Sequence, residues 1–201
     1  MPETETLELW LVRHGETPAS RDRMLAGWTN VPLTDAGERQ AAALRPRLAG
    51  ERFDSVWASD LDRALRTARL AWGEPRQDAR LREMSFGGLE GQSWEALLPE
   101  ERDALVRFSG FTAPGGESFE TLRARALSLV DSLGPGRHLL FTHGGVVRVL
   151  SREAGEDAFV PTGTLLVVDW SARRIVSRTD GAGEASQGLP EQAATSGEGE
   201  R

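Results

Sequence analysis

The chain has 201 residues, enough for one domain of good size, or one domain and a tail, with a core that needs neither disulfides nor a structural metal. It contains no Cys, which excludes disulfides, thiolate metal sites and a cysteine nucleophile; with no bilayer-length apolar stretch and no signal segment, a cytoplasmic setting is expected. Lys and Arg number 24 against 31 Asp and Glu, a net charge of −7, so nucleic acid is a poor partner and an anionic ligand must be drawn by a local cluster of cations.

In chain order, "LELWLV" (7–12) reads as the first strand and runs without a polar spacer into Arg13, His14 and Gly15. Thr34 is placed to cap a helix over 34–50, with Pro46 kinking or ending it and Gly50 closing it. "SVWAS" (55–59) is a second strand, followed by a helix over 60–72 with Leu61, Ala64, Leu65 and Ala68 on one stripe. A helix over 118–133 starts from Ser118 as N-cap and turns Leu122, Ala126, Leu129 and Leu133 inward. "HLLFTH" (138–143) is a third strand, leading through Gly144 into a helix over 145–155, and "TLLVVDW" (164–170) is a fourth strand. Strands this continuously apolar have both faces covered, and their alternation with helices predicts an α/β fold, a mostly parallel sheet between helical layers. One folded domain is expected over 1–178. The Gly/Ala/Ser/Glu-rich stretch over 179–201 is expected to be a disordered tail.

In open parallel sheets, ligands collect beyond the carboxyl ends of the strands. His14 leaves the first strand at that rim, and His143 leaves the third, followed by Gly144 and Gly145. A phosphoryl site without a metal needs a nucleophile at neutral pH, fixed positive charge on the non-bridging oxygens, and an acid for the leaving alkoxide. Histidine suits the first task, and arginine's planar fork suits the second. The chain offers His14 flanked by Arg13, Arg63 early in a helix, His143 before a Gly pair, and both Glu83 and Glu90 beside Gly87–Gly88. By contrast, His138 reads as structural, Arg66 and Arg69 as surface ion-pair residues, and Trp28, Trp57, Trp72 and Trp94 as core or rim packing. No HxxxH-type spacing supports a metal site, and no cofactor is expected.

Six blocks in this order, "RHGET" (13–17), "GWTNVPLTDAGERQA" (27–41), "ASDLDRALRTA" (58–68), "LREMSFGGLEG" (81–91), "PGGESFETLRARA" (114–126) and "THGGVVR" (142–148), resemble the histidine phosphatase superfamily, also called phosphoglycerate mutase-like. The resemblance implies a three-layer αβα sandwich with the site at the strand carboxyl ends. It implies His14 as the nucleophile of a phosphohistidine intermediate, Arg13, Arg63 and His143 as the phosphate pocket, and Glu83 as the proton donor, with Glu90 its competitor. Thr17 and the Gly144 amide would complete the oxygen contacts.

Two departures stand out. The family usually carries an aromatic residue and then Asn after this first block, where the chain has Ala19 and Ser20 behind Pro18; Ser20 or a water would take the Asn's place on the phosphate. Cofactor-dependent mutases resemble the chain but carry a long insertion with extra basic residues after the Glu83 block. Here the segment from Gly91 to Pro114 is short, with Arg102 and Arg107 its basic residues. The expectation is therefore a metal-independent phosphomonoesterase for a small soluble substrate. Its non-phosphate end would meet the loop at Ala26–Gly27 and residues 84–113. The alternatives are a phosphoglycerate mutase and a non-catalytic phospho-ligand module; the oligomeric state is not read from the sequence.

Overall fold

The structure, a computed structural model, describes residues 6–181. The first strand, β1 (Leu7–Arg13), ends at a short helix, α1 (Pro18–Arg21). The long helix expected over 34–50 is divided into α2 (Asp35–Ala43) and α3 (Arg45–Leu48). Pro46 is the cause, since it donates no N–H and its ring crowds the carbonyl four residues back. Then follow β2 (Ser55–Ala58), α4 (Asp62–Ala71) and a two-residue strand, β3 (Arg76–Gln77). Beyond three short 3-10 turns come α5 (Pro99–Arg107), α6 (Phe119–Asp131) and β4 (Gly136–Thr142). The described chain closes with α7 (Gly144–Glu153), β5 (Leu165–Asp169) and β6 (Arg174–Thr179).

The sheet order is β3-β2-β4-β1-β5-β6. The first four of these run parallel; β5 runs antiparallel to β1, and β6 antiparallel to β5. Successive residues of β1 feed two different cores, as the period of a strand requires. Leu9 and Leu11 pack with Leu122 and Leu129 of α6 and Val146 and Leu150 of α7. Trp10 and Val12 pack on the other face with Leu48 of α3 and Leu65 and Ala68 of α4. Each face therefore carries a helical layer, which makes the expected mostly parallel αβα sandwich. Leu133 lies just past the end of α6, half-buried against the first core.

The β1–β4 register sets the position of the site. Arg13 pairs with Thr142, so His14 and His143 both leave the sheet one residue beyond the same rung. β6 runs to Thr179, and Asp180 accepts a bond from Thr164 Oγ1 at 3.1 Å, past the boundary expected at 178. From residue 182 the expected tail lies outside the described residues. Among the described residues, no helix is long and apolar enough to cross a membrane.

Candidate active site

The loop after β1 is held from both sides. Gly15 N donates to Thr67 Oγ1 of α4 at 3.0 Å, and Glu16 N donates to Gln40 Oε1 of α2 at 2.8 Å. Here two backbones touch: a methyl at Gly15 would run into the Gly37 carbonyl, and one at Gly37 into the Glu16 carbonyl. Packing this close fixes the height at which His14 stands.

Hydrogen bonds then fix the tautomers. His14 Nδ1 lies 2.7 Å from the Gly15 carbonyl, which can only accept, so Nδ1 carries the proton and Nε2 keeps its lone pair. Arg63 Nε, which can only donate, lies 3.2 Å from His143 Nδ1, so the His143 proton sits on Nε2. The two rings meet edge to face, with centroids 5.1 Å apart. One imidazole offers a nucleophile, and the other a donor.

Both imidazoles are buried and held well below the ordinary 6.5, first by burial and then by the Arg63 guanidinium; Arg13 adds to the effect on each, and His14 to that on His143. Both are neutral at pH 7. An unfolded histidine takes up a proton near 6.5 that these two refuse, so stability is expected to fall as pH drops from 6.5 toward the depressed folded values. Two such sites give a slope of at most about 2.7 kcal/mol per pH unit. Denaturant unfolding between about pH 6.5 and 5.5 measures it, and a flat stability across that window would show that the imidazoles titrate normally.

Arg63 enters from the first turn of α4, 2 % exposed. Besides His143 it donates to the Thr29 carbonyl at 3.0 Å and the Gly27 carbonyl at 2.6 Å, so two of its five N–H groups stay available. Burial lowers it to about 10, which leaves it charged at neutral pH. Arg13 donates from Nη1 to the Val160 carbonyl at 2.6 Å. Its Nε and His143 Nε2 are, with Thr162 Oγ1, the buried side-chain polar atoms that lack a partner among the described residues. Unpaired donors in a buried place are costly and suit a site that waits for an acceptor.

Glu83 Oε2 accepts from the Gly145 amide at the start of α7 at 3.1 Å, and Oε1 accepts from Met84 N at 2.8 Å. The Glu83 carboxylate rests directly over Gly145, where any side chain would collide with it. Its backbone is framed by residues the sequence reading passed over. Arg125 donates to the carbonyls of Arg80, Arg82 and Glu83 at 2.9, 2.6 and 2.8 Å, while pairing with Glu117 at 2.8 Å. Trp28 Nε1 adds a bond to the Glu83 carbonyl at 2.7 Å.

Glu90 is occupied elsewhere. Its two oxygens accept from Trp28 N at 2.9 Å, Phe86 N at 3.2 Å, Thr29 N at 3.0 Å and Thr29 Oγ1 at 2.6 Å. It latches the loop whose carbonyls hold Arg63, and leaves Glu83 as the carboxylate that lines the cavity with Arg13 and Arg63.

A cavity of about 220 Å³ opens over these groups. Arg13, His14, Arg63, Glu83 and Gly144 line it, as do Thr17, Ser20, Ala26 and Gly27 at its sides. His143 stands behind this lining, wholly buried. Thr17 and Ser20 are also the capping box of α1: Ser20 N donates to Thr17 Oγ1 at 3.0 Å, and Thr17 N to Ser20 Oγ at 2.9 Å. The Ser20 hydroxyl is thus turned back on its own helix.

Several surface and packing residues take the places expected of them. Arg66 pairs with Glu38 at 2.8 Å and Arg69 with Glu74 at 2.9 Å. His138 is tied to Ser55 Oγ at 2.7 Å and the Gly134 carbonyl at 2.9 Å. Trp28 is 40 % exposed at the rim, while Trp94 is buried in the core.

A family model described as the histidine phosphatase superfamily (branch 1) matches residues 9–180. The chain is similar to "Fructose-2,6-bisphosphatase TIGAR B" of Danio rerio, 35% identical over 160 residues, which is 75% of this chain and 62% of that protein. It therefore spans less than two thirds of that relative's length. It is also 35% identical over 150 residues to "Probable phosphoglycerate mutase GpmB" of Yersinia enterocolitica, covering 69% of this chain and 70% of that one. Among solved structures, TTHB049 from Thermus thermophilus superposes with a TM-score of 0.81 at 48% identity, over 86% of this chain and 99% of that chain.

Proposed function

The chain belongs to the histidine phosphatase superfamily, and on that premise we propose that it is a metal-independent phosphomonoesterase acting on a small phosphorylated metabolite. The observation that carries the reading is the opposed protonation of two neutral imidazoles between two arginines, His14 with a free Nε2 lone pair and His143 with a buried, unpaired Nε2–H.

In this mechanism His14 Nε2 attacks phosphorus in line. Arg13 and Arg63 hold the non-bridging oxygens, with the Gly144 amide and His143 Nε2–H as further donors. Glu83 gives a proton to the ester oxygen as the P–O bond breaks. A water then loses a proton to the Glu83 carboxylate and attacks the phosphohistidine, releasing phosphate and restoring His14. A catalytic domain over 1–178 accommodates every step.

A mutase is the second reading, favoured by the names of several relatives and of one solved structure. Against it, the segment between Gly91 and Pro114 is filled by α5 and short turns, and neither Arg102 nor Arg107 lines the cavity. A panel of small phosphomonoesters assayed for phosphate release in chelator, beside conversion of 3-phosphoglycerate with and without bisphosphoglycerate, decides between them. Phosphate release in the presence of chelator is the expected result. Isomerisation without net hydrolysis would replace the phosphatase by the mutase, and tight binding without any turnover would replace both by a binding module.

A further inference from the structure

Beyond its phosphate end the cavity changes character. Its outer wall is built by Leu25, Phe86, Trp94, Phe108, Phe119 and Phe159, brought together from segments far apart in the chain. Two further arginines reach this part, and each is already committed. Arg23 pairs with Glu95 at 3.0 Å. Arg148 pairs with Asp157 through Nε at 2.6 Å and Nη2 at 2.9 Å, and donates to the Leu105 and Val106 carbonyls at 3.1 and 2.6 Å. Its guanidinium is also covered by rings, with Phe108 4.8 Å and Phe159 5.3 Å away.

Phe108 sits at φ 53, ψ 47, at the end of α5. A helix end of this left-handed kind is usually glycine, and a bulky side chain there is strained. Phe108 keeps the strained backbone and sets its ring against Phe119, centroids 4.2 Å apart, on the cavity wall.

We propose that this outer chamber binds a flat, uncharged aromatic group, so that the substrate is a phosphomonoester with an aromatic organic part and no second anionic group. The inference rests on the phosphatase reading for the phosphate end. Apolar walls reward burial of a ring, whereas a second carboxylate or phosphate would have to compete with Glu95 for Arg23, and with Asp157 and two backbone carbonyls for Arg148.

Calorimetry with hydrolysis-resistant phosphonates tests this whether or not the protein turns over a given ester. Benzylphosphonate is expected to bind about 30-fold more tightly than methylphosphonate, and phosphonoacetate more weakly than methylphosphonate. Phe108→Gly, which removes the ring and relieves the backbone, and Phe159→Ala, at the exposed mouth, should each shrink the benzyl preference by about threefold or more. Equal affinities for the benzyl and methyl compounds, tighter binding of phosphonoacetate, or no phosphonate binding at all would overturn the chamber's assignment. Phosphate release from 2-phenylethyl phosphate is followed in parallel. Hydrolysis without the benzyl preference sinks this inference alone, whereas benzyl-selective binding without hydrolysis of any ester sinks the phosphatase.

Discussion

Replacing His14 with alanine is expected to lower kcat/KM for every phosphomonoester by at least about 10⁴-fold, because the covalent route loses its only acceptor of the phosphoryl group. The loss should not depend on the leaving group, since attack at phosphorus is common to all substrates. Phosphonate binding should survive within about tenfold, because Arg13 and Arg63 keep their places: the Arg63 bonds run to His143, Gly27 and Thr29 rather than to His14. Steady-state kinetics together with calorimetry checks both parts. A variant that hydrolyses p-nitrophenyl phosphate at the wild-type rate would remove His14 from the mechanism.

Glu83→Gln is expected to have the second largest effect, and one that does depend on the leaving group. An alkyl phosphate needs a proton on its departing oxygen, so its kcat should fall about 10²- to 10⁴-fold. A p-nitrophenolate leaves unaided, so its release in the first turnover should slow by less than about tenfold, while later turnovers still need Glu83 as the base for water. The amide is not a perfect replacement. Both Glu83 oxygens accept backbone N–H bonds, from Met84 and Gly145, and the new NH₂ must face one of those donors. A stability loss of about 1–3 kcal/mol is expected as well. Glu90→Gln is the control: its carboxylate latches the loop that holds Arg63, so its loss should slow both substrates alike. Equal losses of the first-turnover rate on the two substrates for Glu83→Gln would make it a positioning group instead of the acid.

Much of this arrangement is legible in the sequence. The near-continuous apolar runs required two covered faces, and Leu9/Leu11 against Trp10/Val12 show the two cores they feed. Pro46 divided its helix where its missing N–H demands. The histidines at two strand ends came to one rim because β1 and β4 pair in parallel register.

Other parts carry weaker local signals. β6 has one half-buried residue in six and follows a turn in which Arg173, not glycine, takes a positive φ, so neither alternation nor turn chemistry marks it. α5 does carry start and stop signals, with Pro99 at its first position, Glu100 and Glu101 in the first turn and Arg107 in the last. Its stretch is read correctly only when those signals outweigh its thin apolar face.

Within the site, residue chemistry alone left Glu83 and Glu90 as rivals. What separates them is long-range: Glu90 spends its oxygens on Trp28, Thr29 and Phe86, and Glu83 faces the first turn of α7. Arg125 and Glu117 were silent for the same reason, since three carbonyl bonds from one guanidinium leave no trace in a linear pattern. Ser20, which the resemblance puts on the phosphate, lines the cavity while its hydroxyl closes a capping box with Thr17.

One buried imidazole, kept neutral by its surroundings and open at Nε2, has to take the phosphoryl group from the ester before water does. Rapid mixing with substrate, quenching in alkali, digestion and mass spectrometry locate that group on the chain. Phosphorylation of His14 at Nε2, formed and lost at rates that match turnover, is the predicted result. A phosphoryl group on any other residue, or full turnover with none on the protein, would contradict it.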